Sequence, residues 1–415
     1  MVDLVAELIG FAPMQGRQLH PRAWVALLLS ALFASTQALC SIFVSVYLWV
    51  NSLDFDVICR HHLALYAVTP VVFILAGWYS AAHDRVHAYR MGLMLHAVFY
   101  VTLLVLRERS ADYAGWLGAL LGLAWGVFYA AENTFNFDVT AEGAREYYWG
   151  LLMSLTGVAR LLAPLAGGLI IHVAPVPQVG YDRVFAIVIV VYLACFVLSF
   201  LMPPDNVRRP FHIRRALFPG RDQREWRLIM LASISLAGSF NIFAFLLGIL
   251  MFMETGTEMS VGSFASFQGL TGVVVSYMMG RIIVPRSRRT FMRWGVAFLV
   301  VGGAIIAYKL TIVTLIIFGF MRSVSGPMFG IPHAGMRMDT IAKSAPDLVH
   351  RIEYLCAWEV PLALGRIIMM STMMVLYSTL SESDLGLRIT LFILCAIRIV
   401  TYAILSKTDA LRNAA

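Results

Sequence analysis

The chain has 415 residues, of which 60% are hydrophobic and 13% are charged, and its mean hydropathy is +0.78. Soluble domains carry about 25% charged residues, so this composition excludes a protein whose surface mainly faces water. The net charge is +8. However, the basic residues lie in short gaps between long apolar segments, a pattern typical of membrane-protein loops, so we expect no nucleic-acid partner.

Twelve apolar segments are each long enough to cross a bilayer as a helix, which requires about 20 residues. They lie near 24–50, 57–80, 88–106, 114–137, 147–172, 181–202, 228–253, 260–284, 291–308, 312–336, 352–378 and 386–406. We therefore predict an all-α membrane protein with twelve transmembrane helices. The expected parts are a terminus (1–23), a six-helix bundle (24–202), a basic linker (203–227), a second six-helix bundle (228–406) and a tail (407–415).

The distribution of Lys and Arg predicts that both termini are cytoplasmic. With that orientation the inner segments carry 21 basic residues and the outer loops carry 6, and this bias sets the orientation of membrane proteins. The linker 203–227 contains seven arginines, which suit contact with the anionic inner leaflet or binding of a regulatory protein. We expect a multi-pass protein of the cell membrane.

The two halves of the chain share residues at constant offsets. At an offset of 203 the matched positions are Gly77, Arg85, Arg90 and Gly92 with Gly280, Arg288, Arg293 and Gly295. Arg160 matches Arg366, 206 residues later. Six crossings bring the second copy in with the same orientation, which predicts parallel repeats about an axis along the membrane normal. The two bundles should be pseudo-symmetric.

The loop between the second and third segments reads SAAHDRVHAYR. Asp84, Arg85 and Arg90 in it match the signature G-x-x-x-D-R-x-G-R-R of the major facilitator superfamily, and residues 164–168, PLAGG, resemble the end of that family's antiporter motif. The chain thus resembles this superfamily, in a poorly characterised bacterial branch. The resemblance implies the major facilitator fold and secondary transport. It leaves drug/proton antiport open, although the fourth segment lacks that class's arginine.

Charged residues within the apolar segments are the candidate binding residues. An arginine at a helix centre costs about 2.5–3.5 kcal/mol on insertion scales, so it should face water or a partner. Arg160, Arg322 and Arg366 lie near mid-depth. We predict that Arg160 and Arg366 face each other across a central cavity and bind an anionic substrate, because guanidinium suits carboxylate and phosphate. The alternative is a structural network in which Glu359 binds Arg322 and Arg366.

Two carboxylates and a histidine are candidates for proton coupling. Glu132 and Glu359 lie one to two turns from the predicted cytoplasmic helix ends, and His333 is the repeat counterpart of Glu132. Buried carboxylates and histidines exchange protons near neutral pH, which suits coupling. The alternative for Glu132 is polarity at a cytoplasmic gate. Trp125 and Trp358 are predicted to stack on a substrate ring, with ordinary packing as the alternative.

Four charged residues at the predicted cytoplasmic helix ends are candidate gating contacts. They are Asp84, Arg85, Asp138 and Asp339. Charges paired between helix ends hold one face shut and separate when the two bundles rock.

The sequence therefore predicts a secondary transporter that moves a small organic solute, favouring an anion, by proton-coupled alternating access. A flippase of lipids or lipid-linked sugars is the alternative, and it would require a lateral apolar opening. Nucleophile–base pairs, metal-ligand clusters and phosphate-binding glycine loops are not evident, so we expect no enzyme activity, cofactor or metal. The expected partners are the solute, protons and the bilayer, and we expect a monomer.

Overall fold

The computed structural model describes residues 21–138, 145–202, 211–240, 242–345, 348–380 and 383–412. All regular elements in these ranges are helices, and eleven of them are long and apolar enough to cross a membrane. A further helix, Glu258–Ile282, has 25 residues. It is more polar because Ser, Thr, Gln and Gly are spread along it. The predicted all-α membrane architecture is confirmed.

We number the long helices in chain order and treat two segments on either side of residue 241 as parts of the seventh. They are α1 (Pro21–Ser52), α2 (Phe55–Ala82), α3 (Arg85–Leu106), α4 (Ala114–Asp138), α5 (Arg145–His172), α6 (Pro177–Leu198), α7a (Arg224–Phe240), α7b (Ile242–Thr255), α8 (Glu258–Ile282), α9 (Arg288–Tyr308), α10 (Ile312–Ser344), α11 (Leu348–Thr379) and α12 (Ser383–Leu405). The predicted and observed helices correspond throughout.

Polar side chains begin several of these helices. Asp54 accepts a hydrogen bond from a backbone N–H in the first turn of α2, and Asp84 does the same for α3. Thr257 and Thr311 cap α8 and α10 in the same way. Such residues satisfy amide groups that lack a partner within the helix, so each loop ends at a defined residue.

Helices α1–α6 and α7a–α12 form two bundles with the same packing pattern. In the first bundle α1 packs against α5 and α6, α3 against α4 and α6, and α2 against α4. In the second, α7a packs against α11 and α12, α9 against α10 and α12, and α8 against α10. Each contact recurs with every helix number raised by six, so the pseudo-symmetry predicted from the sequence offsets is confirmed.

The bundles meet along two long helix pairs, α2–α11 and α5–α8, and where α7b packs on α1. The α2–α11 seam is antiparallel and runs the length of both helices. Its residues pair in constant register: Phe55 with Tyr377, Tyr66 with Arg366, and Gly77 with Cys356. This seam therefore holds the bundles together across the whole membrane thickness.

The close contacts of the α5–α8 seam lie toward one end of the two helices. We call the side where α1 begins and α12 ends the terminal face, and the other side the opposite face. Toward the opposite face, Gly262 lies against the carbonyl of Pro164, and a Cβ added at Gly269 would lie 2.7 Å from the carbonyl oxygen of Arg160. Toward the terminal face, every residue from 273 to 282 is exposed or half-buried. The described close contacts between the two helices thus extend from the opposite face as far as Gly157 and Val273.

Candidate functional site

Charged and aromatic side chains from both bundles converge around Tyr129 of α4. The charged groups that act electrostatically on Tyr129 are Glu132, one turn along α4, Arg160 of α5 and Glu359 of α11. Glu359 in turn binds Arg366. We call these five residues the central cluster. The cluster lies where the first bundle meets the second.

Arg366 and Glu359 form a short ion pair within α11. The Nη1 atom of Arg366 donates to Oε1 of Glu359 at 2.6 Å, and the two side chains are 9% and 14% exposed. The guanidinium also lies over the ring of Tyr66 in α2, at 5.5 Å from its centroid. Its Nε atom is buried without a hydrogen-bond partner in the described part of the chain. The seven-residue spacing therefore produces a pair, and Arg366 keeps an unused donor.

Arg160 has a different environment from its repeat counterpart Arg366. Its side chain is exposed. Within the ranges that the structure covers, no hydrogen bond or ion pair engages its guanidinium. An unpaired arginine inside a membrane protein should face water or a ligand. Arg160 is therefore the member of the pair whose guanidinium has no protein partner among the described residues.

Of the two tryptophans predicted to contact substrate, only Trp125 has an unused polar group. Its indole Nε1 is buried without a partner among the described residues, and its ring lies 6.0 Å from that of Tyr129. Trp358 donates its Nε1 to the hydroxyl of Ser233 at 2.7 Å, and the guanidinium of Arg337 lies 3.6 Å from its ring centroid. Trp358 is thus engaged within the second bundle, while Trp125 borders the central cluster.

Glu132 lies at the junction of four helices in the first bundle. The hydroxyl of Ser30 in α1 is within hydrogen-bonding distance of Glu132 and of Tyr148 in α5. Tyr89 of α3 is a further electrostatic neighbour. His333, its predicted counterpart, lies inside the second bundle, where Arg337, Arg398 and two aromatic rings surround it. The repeat relationship therefore does not make these two residues contact partners.

Arg322 makes contacts other than the predicted pairing with Glu359. Its Nη1 donates to Oε1 of Gln268 in α8 at 2.9 Å, and its guanidinium lies 5.5 Å from the ring centroid of Phe243. The second arginine acting on Glu359 is Arg337 of α10. An Arg–Glu–Arg arrangement therefore exists, with Arg337 in the place predicted for Arg322.

Where the structure describes a contact of a predicted gating residue, its partner lies in the same bundle. Asp84 caps α3, and Arg85 beside it is buried with 2% exposure. Asp339 of α10 pairs with Arg288 of α9 at 2.9 Å. The side chain of Asp138 lies outside the described part of the chain. A gate formed between the bundles by these residues stays a prediction.

A family model described as Major Facilitator Superfamily matches residues 61–347 of the chain. The chain belongs to this superfamily. The uncharacterized protein YqgE of Bacillus subtilis (strain 168) is 26% identical over 368 residues, covering 89% of this chain and 85% of that protein. A bacterial homologue of the iron transporter ferroportin, in its inward-facing state, aligns with a TM-score of 0.71 and 15% identity, over 94% of this chain and 99% of that one. A mutant of the nucleoside transporter NupG also aligns with a TM-score of 0.71, at 11% identity, over 93% and 99% of the two chains.

These similarities identify a multi-pass membrane transporter of the superfamily and not an enzyme, as the sequence predicts. At 11% and 15% identity the two solved structures share the fold alone. Their names refer to different cargoes, iron and nucleosides. The substrate of this chain must therefore be argued from its own side chains.

Proposed function

We propose that this member of the major facilitator superfamily is a proton-coupled secondary transporter of a small organic anion, and that the central cluster binds the substrate. The observation that carries the proposal is Arg160, which is exposed and unpaired in the described part of the chain at the junction of the two bundles. An anionic substrate would supply its counter-charge. Guanidinium suits this role because its fixed fork binds carboxylate or phosphate with two parallel hydrogen bonds.

The aromatic residues in and beside the central cluster also suit an organic anion. Trp125 offers a buried indole N–H that lacks a partner among the described residues. An unmade hydrogen bond of this kind costs about 1–3 kcal/mol, so a substrate oxygen that accepts it gains affinity. Tyr129 adds an aromatic ring beside both Trp125 and Arg160. We therefore expect a substrate with an anionic end and a polar or aromatic body.

The Glu359–Arg366 pair provides a route to proton coupling. While Glu359 is ionised it occupies Arg366. Protonation of the carboxylate removes the charge that holds the guanidinium, and Arg366 then becomes available to the substrate anion. Proton and anion would therefore bind together with no net charge, and loss of the proton would restore the pair and release the anion. We assign Glu132 as the next proton acceptor because it neighbours Tyr129 in the same cluster.

The unequal burial along α8 supports alternating access. The seam has its close contacts toward the opposite face, residues 274–282 toward the terminal face are exposed or half-buried, and the Lys/Arg bias supports a cytoplasmic terminal face. The substrate site would exchange with the cytoplasm here and with the exterior after the bundles rock. Import and export both require this motion.

The test begins with a thermal-stability screen of organic anions on the purified protein, followed by uptake into proteoliposomes. Arg160→Gln should weaken the apparent affinity for the selected anion at least tenfold, about 1.4 kcal/mol. It should leave the protein folded, because among the described residues Arg160 has no internal pair to break. Arg281→Gln is the matched control, since Arg281 is exposed and contacts Tyr277 of its own helix. Unchanged anion affinity in Arg160→Gln would refute the proposed site.

Coupling is tested separately. Glu359→Gln carries a permanently neutral side chain, so it should abolish accumulation driven by a pH gradient and retain exchange of labelled for unlabelled substrate. Glu132→Gln is compared in the same two assays. Gradient-driven accumulation that survives in both variants would exclude these carboxylates as the proton carriers.

A second candidate function rests on the exposed part of α8. The corresponding stretch of α2, residues 70–79, buries Phe73, Ala76 and Gly77, whereas residues 273–282 of α8 include none that is buried. Such an opening with apolar walls would admit a lipid or lipid-linked sugar from the adjacent leaflet. Transbilayer movement of fluorescent lipids in proteoliposomes tests this alternative. Lipid movement without uptake of any soluble anion would favour it over the anion transporter.

A further inference from the structure

We propose that the second bundle contains a separate anion-binding pocket, formed by His333 and Arg337 of α10 and Arg398 of α12. Its ligand would be a compact oxyanion, a carboxylate or phosphate group. The pocket does not include Arg160, and its existence does not depend on the anion site assigned to the central cluster.

The first observation is a buried histidine with an unused ring nitrogen. His333 is 5% exposed, and its Nε2 atom is buried without a hydrogen-bond partner in the part of the chain that the structure describes. Its ring centroid lies 6.3 Å from that of Phe329 and 6.4 Å from that of Trp358. Buried polar groups almost always have a partner, so this nitrogen is available to a bound ligand.

The second observation is that each of these two aromatic rings carries an arginine. The guanidinium carbon of Arg337 lies 3.6 Å from the Trp358 centroid, and that of Arg398 lies 4.8 Å from the Phe329 centroid. Both arginines act electrostatically on His333. Stacking holds the guanidinium of Arg337 in place and leaves its N–H edge available for hydrogen bonds. The Nε atom of Arg337 is accordingly buried without a partner among the described residues.

The third observation is an excess of positive charge inside the second bundle. Among the described residues, its interior holds four arginines: Arg322, Arg337, Arg366 and Arg398. The carboxylate acting on this group is Glu359, which is bound to Arg366. The other described carboxylates of the bundle lie toward helix ends, such as Glu258, Asp339 and Glu353. Charge in a low-dielectric interior needs a nearby counter-charge, which a bound anion supplies.

The donor set defines the ligand class. The guanidinium of Arg337 and the imidazole of His333 offer hydrogen-bond donors, and Arg398 adds positive charge, which suits the oxygens of a carboxylate or phosphate. The aromatic rings of Phe329 and Trp358 hold the two guanidinium groups beside the imidazole. The group would come either from a free inorganic anion or from one end of a solute held in the second bundle.

The experiment measures the unfolding midpoint of the purified full-length protein as sodium phosphate or sodium acetate is added, at constant ionic strength. A specific site gives a saturable rise, because a ligand that binds the folded state stabilises it. Arg337→Gln and His333→Gln should weaken the apparent affinity at least tenfold. Arg281→Gln, with an exposed arginine that lies 5.5 Å from the Tyr277 ring centroid, should match the wild type. If Arg337→Gln does not fold, Arg337→Lys keeps the charge without the fork and should still weaken binding.

Each alternative result has a clear meaning. The pocket is refuted if the unfolding midpoint of the wild type shows no saturable rise up to about 100 mM anion. It is also refuted if the His333→Gln and Arg337→Gln variants bind the anion as tightly as the wild type. Arg160→Gln separates this proposal from the transport function. If it loses anion uptake and keeps the phosphate-induced rise, the two sites are distinct. If it loses the rise, the anion binds at the central cluster and the pocket is refuted. If acetate or phosphate alone raises the unfolding midpoint, the ligand of the pocket is a free anion. If the rise requires the transported solute, the ligand is the anionic end of that solute.

Discussion

The ion pair between Glu359 and Arg366 should be a strongly coupled unit of stability. The two side chains are 14% and 9% exposed and their atoms lie 2.6 Å apart, so solvent screens the pair little. We consider Glu359→Gln, Arg366→Met and the double variant. In Glu359→Gln the arginine stays buried and loses its carboxylate. In Arg366→Met the carboxylate keeps a second arginine, Arg337, in electrostatic range.

These contacts give the expected magnitudes. Removing one partner of a buried ion pair typically costs about 3–5 kcal/mol, and replacing both with apolar or neutral groups costs much less. Glu359→Gln should therefore cost about 3 kcal/mol, because Gln retains a hydrogen-bond acceptor. Arg366→Met should cost about 2 kcal/mol, since Arg337 compensates in part. The coupling free energy of the cycle should reach about 3 kcal/mol.

The assay is equilibrium unfolding of the four proteins in mixed detergent micelles, with a second cycle as control. Arg288 and Asp339 form the control pair, whose side chains are 17% and 56% exposed. That exposed pair should couple by no more than about 1 kcal/mol. A coupling below about 0.5 kcal/mol for Glu359 and Arg366 would refute the pair as a stabilising unit. Greater loss in Arg366→Met than in Glu359→Gln would refute compensation by Arg337.

Three further substitutions have defined expectations. Gly269→Val places side-chain atoms against the carbonyl of Arg160 and should force α5 and α8 apart, which cysteine labelling along the seam would detect as increased reactivity. Trp125→Phe removes a buried donor without a described partner, so the unfolding free energy should stay within about 0.5 kcal/mol or rise, while substrate affinity falls. Tyr181→Phe removes the hydroxyl that donates to the buried carboxylate of Glu258 at 3.2 Å across the bundles, and should lower the unfolding free energy by about 1.5–3 kcal/mol.

The fold could be predicted from the sequence because the bilayer imposes a simple length rule. The gap between the ninth and tenth apolar segments was the narrowest, yet α9 ends at Tyr308 and α10 begins at Ile312 as the pattern predicts. Helix α8 shows that a helix packed between two bundles need not be strongly apolar. The constant offsets between the halves predicted the pseudo-symmetry, since each repeated residue occupies the same position in its bundle.

The central cluster was only partly predictable. Glu359 and Arg366 lie seven residues apart on one helical face, so their pairing follows from helix geometry. Arg337 was missed because the apolar segment ends near residue 336, whereas α10 continues to Ser344. The four-residue spacing of His333 and Arg337 was the available signal that both lie on one face of a longer helix. The contact of Arg322 with Gln268 depends on tertiary packing, which no local pattern encodes.

We expect the unequal seams to guide the motion that relates the two bundles. Contacts along α2–α11 extend from one membrane face to the other, whereas the described close contacts along α5–α8 run from the opposite face as far as Gly157 and Val273. We therefore expect the bundles to rotate about the α2–α11 seam, so that α5 and α8 change their separation most. A single distance measured across the terminal-face half of α5 and α8 would then be enough to report the protein's conformational state.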